Sequence, residues 1–225
     1  MHFTELDTPA LVVDLDVLEK NIADVQAACK RLEIDLRVHT KTHKTPQIAR
    51  MQVEGGAIGI TSQKLGEAEA MADGGLEDIL IPYNIVGHPK LERLTRLIKS
   101  GKTTLTVAAD SSTTVEGLSE QARRDDCTVR VIVEMDTGSG RCGAQSPQET
   151  LALAQQIDSL PGLEFMGVMT YPSSERARPF LDEVRALVRS AGLPLHIISG
   201  GGTGSEEISK SLGCTETRIG SYAYE

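Results

Sequence analysis

A dense run of basic residues in the first quarter of the chain is the first sign of chemistry. It places one arginine, two histidines and two lysines within eight positions, Arg37-Val38-His39-Thr40-Lys41-Thr42-His43-Lys44. Alternate side chains of a β-strand share one side, so Lys41 would lie beside His39, with Lys44 on the opposite side. Neighbouring cations and partial burial lower the pKa of a lysine, and its neutral amine can then bond an aldehyde as an imine. Lys41 is therefore a candidate nucleophile, and a solvated basic surface is the alternative interpretation.

A glycine-rich segment follows the last apolar run of the sequence. It reads Ser199-Gly200-Gly201-Gly202-Thr203-Gly204 and precedes Ser205-Glu206-Glu207, which is typical of a helix start. Glycines allow backbone N–H groups to approach an anion, and a helix start adds partial positive charge. We expect phosphate binding here, with a flexible turn as the alternative. A second segment, Arg218-Ile219-Gly220-Ser221-Tyr222, could close over the same ligand.

Two other strand ends carry polar side chains that could contact a ligand. Arg141 lies in a glycine-containing segment after Glu134 and Asp136, and arginine is the usual bidentate partner of a carboxylate. A structural ion pair with Glu134 or Asp136 is the alternative. Tyr171 could donate a hydrogen bond in a pocket or be a core residue with a polar tip. A lysine, a phosphate loop and an arginine on one rim suit pyridoxal 5'-phosphate, an aldehyde with a phosphate group and an electron-accepting ring.

The elements that would position these residues are eight apolar, β-rich runs separated by helical patterns. Continuous apolar runs indicate parallel strands that are covered on both faces, and eight such units in about 200 residues predict a (β/α)8 barrel. A doubly wound open sheet is the alternative, but Asp14-Leu15-Asp16 stands where its glycine-rich turn would be. The predicted strands are 10–14, 36–41, 56–61, 78–84, 104–110, 128–136, 163–171 and 195–202. With no linker or low-complexity tract, we expect one domain over residues 1–225, its barrel complete before Gly202.

Three helices have clear sequence signals. The apolar stripe Leu18, Ile22, Val25, Cys29 and Leu32 predicts the first. Ser146-Pro147-Gln148-Glu149 combines an N-cap, a proline at the first helical position and a glutamate at the third. Residues 178–191 place Leu181, Val184, Val188 and Ala191 on one face.

Composition narrows the functional classes. The net charge of −9 argues against a nucleic-acid or acidic-membrane partner. No membrane span or signal peptide is visible, so we expect a cytoplasmic protein. The four cysteines lie far apart, which predicts free thiols and no zinc site.

The basic run resembles a known signature. Residues 37–44 are similar to the R-P-H-x-K-T-H-K motif of the D-threonine aldolase and D-serine dehydratase family, relatives of alanine racemase that share its pyridoxal-phosphate barrel, known as fold type III. Val38 stands in place of the usual proline. The resemblance covers nearly the whole chain and is carried in order by further blocks at 8–15, 63–69, 134–143, 199–204 and 218–222.

The resemblance implies roles for named residues. Lys41 would form the imine with the cofactor, and Lys44 would lie outside the site. Arg141 and Tyr171 would contact the substrate or the ring. Arg218 would face the pyridine nitrogen. The other residues expected to bind the cofactor are His39, Ser199, Gly201, Gly202, Thr203, Gly220, Ser221 and Tyr222, with the glycines, Thr203 and Ser221 around the phosphate.

The resemblance further implies a lyase that acts on small D-amino acids with a β-hydroxyl, of the D-threonine aldolase or D-serine dehydratase type. The segment Tyr171-Pro172-Ser173-Ser174 replaces the Tyr-Glu-Gly-His of the aldolases, which leaves the substrate open. An amino-acid racemase, a non-catalytic pyridoxal-phosphate carrier and a phosphate-binding barrel without an imine are the alternatives. Family members continue into a β-rich domain with ligands for manganese or zinc. Since the sequence ends at Glu225, we expect a barrel without that domain or metal site, either as a fragment or as a barrel-only homodimer.

Overall fold

The structure is a computed structural model that describes residues 2–225. It is a closed barrel of eight parallel strands in sequential order, with β8 paired to β1. The predicted (β/α)8 barrel is thereby confirmed. The strands are β1 (Asp35–His39), β2 (Gly59–Thr61), β3 (Asp78–Ile81), β4 (Thr104–Ala109), β5 (Val129–Met135), β6 (Leu163–Thr170), β7 (Ile197–Gly201) and β8 (Glu216–Ile219). The helices are α1 (Leu15–Leu32), α2 (Pro46–Glu54), α3 (Leu65–Asp73), α4 (His88–Lys99), α5 (Ser112–Arg124), α6 (Pro147–Ser159), α7 (Arg178–Ser190) and α8 (Glu206–Ser211).

One predicted strand is wrong and one strand was not predicted, although the number of strands is right. Residues 10–14 are extended but belong to no strand, and Leu11 is 95% exposed. The strand that closes the barrel is instead β8, in which Glu216 pairs with Asp35. Only one of its four residues, Ile219, is apolar, so hydrophobicity gave no signal for it. The barrel is therefore not complete before Gly202, and the glycine-rich segment begins inside β7 and continues into the loop after it.

The predicted helices have the expected boundaries and caps. The stripe on α1 places Leu18, Ile22 and Cys29 in the core, and α7 buries Leu181, Val184 and Val188. The Ser146 side chain accepts a hydrogen bond from the Glu149 N–H at 3.1 Å and caps α6. None of the helices among residues 2–225 combines the length and apolar character needed to cross a bilayer.

The inside of the barrel is divided between apolar and charged side chains. Leu80, Ala108, Ile132 and Met169 form a small apolar cluster that is separate from the main core between the barrel and the helices. On the side of β1 and β8, Arg37 Nε donates to both carboxylate oxygens of Glu216, at 3.0 and 2.9 Å. Burial of an arginine at this position depends on that pairing, because an unpaired buried charge is costly.

Candidate active site

A pocket of about 210 Å³ opens at the carboxyl ends of the strands, where barrels of this kind carry their active sites. Nine of the predicted site residues line it together: His39, Lys41, Arg141, Tyr171, Gly202, Thr203, Arg218, Gly220 and Ser221. The remaining wall residues, which the sequence did not single out, are Thr42, Gln63, Pro82, Tyr83, Met169 and Ile219. Tyr83 lies just after β3, and its position at a strand end is the signal that could have identified it.

Lys41 enters the pocket, whereas Lys44 does not. The strand β1 ends at His39, and residues 40–42 form a short 3-10 helix that carries Lys41. The Lys41 Nζ lies 5.7 Å from the centroid of the Tyr171 ring. Lys44 Nζ pairs with Glu67 Oε1 at 2.9 Å. The two lysines are separated as expected, but the cause is a helical turn rather than strand alternation.

His39 lies beneath Lys41 and is buried. Its Nδ1 accepts a hydrogen bond from the Lys41 backbone N–H at 3.3 Å. Burial, together with the positive charges of Lys41 and Arg218, lowers the pKa of His39 to about 3. The imidazole is therefore neutral at physiological pH, which avoids a third cation beside the lysine and the arginine.

Arg218 extends from β8 to the pocket, and hydrogen bonds to residues outside the pocket wall hold its guanidinium. Its Nη2 donates to the Thr170 carbonyl oxygen at 2.8 Å, and its Nη1 donates to Ser199 Oγ. Ser199 Oγ in turn donates to Glu216 Oε1 at 2.5 Å. Ser199 is thus not part of the pocket wall, since it lies behind Arg218 and supports it.

The two glycine loops offer backbone donors, though not at all the expected positions. The Gly201 N–H donates to Ser173 Oγ at 2.9 Å and the Gly202 N–H donates to the Arg218 carbonyl oxygen at 3.0 Å, so both are occupied. The N–H groups of Thr203, Gly220 and Ser221 have no hydrogen-bond partner within residues 2–225. Thr203 Oγ1 and Ser221 Oγ lie 2.7 Å apart and join the two loops.

Gly220 allows the backbone to come close to β1. A Cβ atom at Gly220 would overlap the carbonyl oxygen of His39, so only glycine fits. Gly202 has a φ of +124°, a conformation that other residues rarely adopt. These two positions explain the glycines of both loops better than a general need for flexibility.

Arg141 extends over the pocket from the β5–α6 loop. Its guanidinium carbon lies 4.9 Å from the centroid of the Tyr171 ring and 5.8 Å from that of Tyr83. Its Nη2 is 3.7 Å from Glu134 Oε1. The ion pair that was the alternative interpretation is thus present, yet it leaves Arg141 at the pocket.

Tyr222 lies away from the pocket, although it follows two residues that line it. Its hydroxyl accepts a hydrogen bond from Gln52 Nε2 at 2.8 Å on α2. Burial raises the pKa of this phenol. Tyr222 therefore joins this segment to α2 and does not line the pocket.

Metal-binding groups are absent from the part of the chain that the structure describes. Within residues 2–225 no group of three or more His, Cys, Asp or Glu side chains could hold a metal ion. The four cysteines are free thiols, as predicted.

Comparisons with known proteins agree with the fold and the motif. The model of the alanine racemase N-terminal domain matches residues 13–225. D-threonine aldolase from an Arthrobacter species is 38% identical, over 97% of this chain and 61% of that protein. 3-hydroxy-D-aspartate aldolase of Paracoccus denitrificans is 35% identical, over 100% of this chain and 62% of that protein. The crystal structure of D-threonine aldolase from Filomicrobium marinum superposes with a TM-score of 0.93 at 32% identity. The superposition covers 99% of this chain and 64% of that one.

These comparisons confirm the resemblance that the basic run suggested. The chain spans a little over three fifths of the length of the curated relatives it matches. It belongs to the family of the alanine racemase N-terminal domain.

Proposed function

We propose that this barrel binds pyridoxal 5'-phosphate and acts as a lyase on small D-amino acids with a β-hydroxyl. One observation carries the proposal. A single pocket brings together the amine of Lys41, the buried guanidinium of Arg218 and three unpaired N–H groups, those of Thr203, Gly220 and Ser221. Unpaired backbone donors that line a pocket are typical of an anion site.

The residues of this pocket fit the cofactor. Thr203, Gly220 and Ser221 would hold its phosphate through their backbone N–H groups. In the structure the Ser221 hydroxyl donates to Glu225 Oε1 at 2.6 Å, so it and the Thr203 hydroxyl would have to turn toward the phosphate to add further donors. Arg218 would donate to the ring nitrogen. When bound, pyridoxal phosphate supplies an aldehyde for an amine and a ring that accepts the electron pair of the bond broken at the α-carbon.

The other pocket residues would orient the substrate and keep charges in place. Arg141 would bind the substrate carboxylate, since its guanidinium extends over the pocket on the face of Tyr171. Arg218 keeps its proton, so a ring nitrogen facing it would stay unprotonated. The neutral imidazole of His39 would add no third positive charge beside Lys41 and Arg218.

The aldolase reaction is our first choice between the two lyase reactions. The two aldolases described above are named for D-threonine and 3-hydroxy-D-aspartate, and each substrate carries a β-hydroxyl. Dehydration remains the alternative within this class, and a racemase or a non-catalytic carrier outside it. Turnover of D-threonine to glycine and acetaldehyde separates the aldolase from all three.

The domain boundaries, the metal, the oligomeric state, the location and the partners of the protein also belong to this proposal. Residues 1–225 form the cofactor-binding barrel, and the divalent metal that the motif resemblance implies, manganese or zinc, would be bound by residues outside 2–225. We further propose a homodimer in the cytoplasm. Neither nucleic acid nor a membrane is a proposed partner, given the net charge of −9.

The test of the proposal compares two lysines of the same basic run. Lys41→Ala should abolish the visible absorbance that pyridoxal phosphate gives with the wild-type chain, and borohydride should no longer fix the cofactor to the protein. Lys44→Ala is the matched control, because Lys44 pairs with Glu67 outside the pocket. Fixation that survives Lys41→Ala, or that is lost only with Lys44→Ala, would refute the assignment.

A further inference from the structure

The β5–α6 loop that carries Arg141 is organised over only part of its length. At its base the Ala144 N–H donates to the Glu134 carbonyl oxygen at 2.8 Å. At its start Asp136 Oδ1 accepts the N–H groups of residues 138, 139 and 140 at 2.9, 2.8 and 3.1 Å. Neither set of bonds includes Arg141 or Gly143, and between these two residues only Cys142 Sγ makes a contact, to Glu134 Oε1 at 3.3 Å. The backbone of residues 141–143 therefore needs a further anchor.

Asp110, the residue that follows β4, supplies that anchor. Its Oδ2 accepts the Gly143 N–H at 3.1 Å, two residues after Arg141. Its Oδ1 accepts Asn84 Nδ2 at 2.8 Å, and its own N–H donates to Asn84 Oδ1 at 3.1 Å. One carboxylate therefore joins the loops after β3, β4 and β5.

Gly143 transmits this constraint to the arginine. Its φ is +115°, and a Cβ atom there would overlap the backbone of Met135 and Asp136, so the loop is closely packed against its own base. Asn84 is also adjacent to Tyr83, one of the two rings beside the Arg141 guanidinium. The Asp110–Asn84 pair thus holds both the loop of Arg141 and one of its aromatic neighbours.

The direct contacts of the Arg141 side chain are weaker than this anchor. Its nearest carboxylate, Glu134, is 3.7 Å away, which is beyond hydrogen-bond distance, and the guanidinium is partly exposed. An exposed cation over an aromatic ring contributes little to holding the side chain in place. The position of Arg141 therefore depends largely on its backbone.

We propose that Asp110 is a positioning residue for substrate recognition, which holds Arg141 where it meets the substrate carboxylate. The inference rests on the proposed role of Arg141. Asp110 itself does not line the pocket. Its removal should weaken binding of a D-amino acid by at least about tenfold, because small displacements of an orienting group have effects of this size. Binding of the cofactor should not change.

The experiment uses the chain loaded with pyridoxal phosphate and measures binding from the change in the cofactor spectrum. D-threonine is the probe, and ethanolamine, an amine without a carboxylate, is the comparison ligand. Asp110→Ala should weaken the binding of D-threonine but not of ethanolamine, and should speed amide hydrogen exchange in residues 137–143. Asp110→Asn, which keeps one acceptor oxygen, should restore part of the affinity. Asp73→Ala, an exposed residue paired with Lys102 on the surface, should resemble the wild type.

Each remaining outcome separates this inference from the proposed function. If Arg141→Ala weakens D-threonine binding but Asp110→Ala does not, Asp110 has no positioning role and the proposed function stands. If Arg141→Ala binds D-threonine like the wild type, the carboxylate role of Arg141 is wrong and the inference falls with it. If Asp110→Ala weakens both ligands equally or loses the cofactor, its role is structural and the inference is overturned. Asn84→Ala removes the partner of Asp110 and should give the same pattern as Asp110→Ala.

Discussion

The environment of His39 differs strongly from that of a free histidine side chain. It is buried beneath two cations, and its pKa falls to about 3. Protonation therefore costs far more in the folded chain than in the unfolded chain, where the pKa is near 6.5. Between these two values the unfolded state binds more protons, so stability rises with pH and is lost as the pH falls below 6.5.

A pH series of unfolding measurements checks this residue. We expect His39 to reduce the free energy of unfolding of the cofactor-free chain by about 2 kcal/mol between pH 8 and pH 5. His39→Gln removes the titrating group, so that share of the loss should disappear. Urea unfolding at both pH values gives the comparison. Equal acid sensitivity of the wild type and His39→Gln would show that His39 titrates normally.

At the scale of elements, the two loops after β7 and β8 act as one unit. Thr203 and Ser221 line the pocket from different loops, and their hydroxyl oxygens are 2.7 Å apart. Neither loop alone presents the three unpaired N–H groups of Thr203, Gly220 and Ser221. The proposed anion site therefore needs both loops, and with them the closure of the barrel by β8.

Pyridoxal, which lacks the phosphate, isolates the contribution of these loops. The double variant Thr203→Val with Ser221→Ala removes the two loop hydroxyls, which would turn from each other and from Glu225 to donate to the phosphate. The binding of pyridoxal 5'-phosphate should become weaker by about 1–3 kcal/mol, the range for hydrogen bonds to a charged group. The affinity for pyridoxal should not change. Ser211→Ala, on α8 and outside the pocket, is the control. An equal loss for both ligands would mean that the loops do not hold the phosphate.

The sequence predicted helices well where the signal lies in residues close together along the chain. The stripe of α1 and the cap of α6 could be found because apolar spacing and capping residues act locally. The strand β8 was missed because Glu216 and Arg218 face charged partners inside the barrel, which hydrophobicity does not reveal. Ser199 and Tyr222 were expected at the cofactor, but Ser199 lies behind Arg218 and the Tyr222 hydroxyl bonds Gln52. Those contacts join residues far apart in sequence, which a single sequence does not show.

At the scale of the whole molecule, the barrel is closed by charge as well as by backbone hydrogen bonds. Glu216 on the last strand pairs with Arg37 on the first, and both side chains are almost fully buried. Asp78 on β3 also contacts Arg37, at 2.5 Å. Removing one partner of a buried pair leaves an uncompensated charge, which costs far more than the loss of a surface pair.

Glu216→Gln tests this closure directly. The change keeps the shape of the side chain but leaves Arg37 with Asp78 alone, so we expect a loss of about 3–5 kcal/mol in the free energy of unfolding. Glu69→Gln breaks a surface pair with Arg93 and should cost no more than about 1 kcal/mol. Urea unfolding of the cofactor-free chains measures both. Similar losses for the two variants would show that the interior pair contributes little, and that backbone pairing of β8 with β1 suffices to close the barrel. A selective loss with Glu216→Gln would tie stability to the same carboxylate that supports Ser199 and, through it, Arg218 at the pocket.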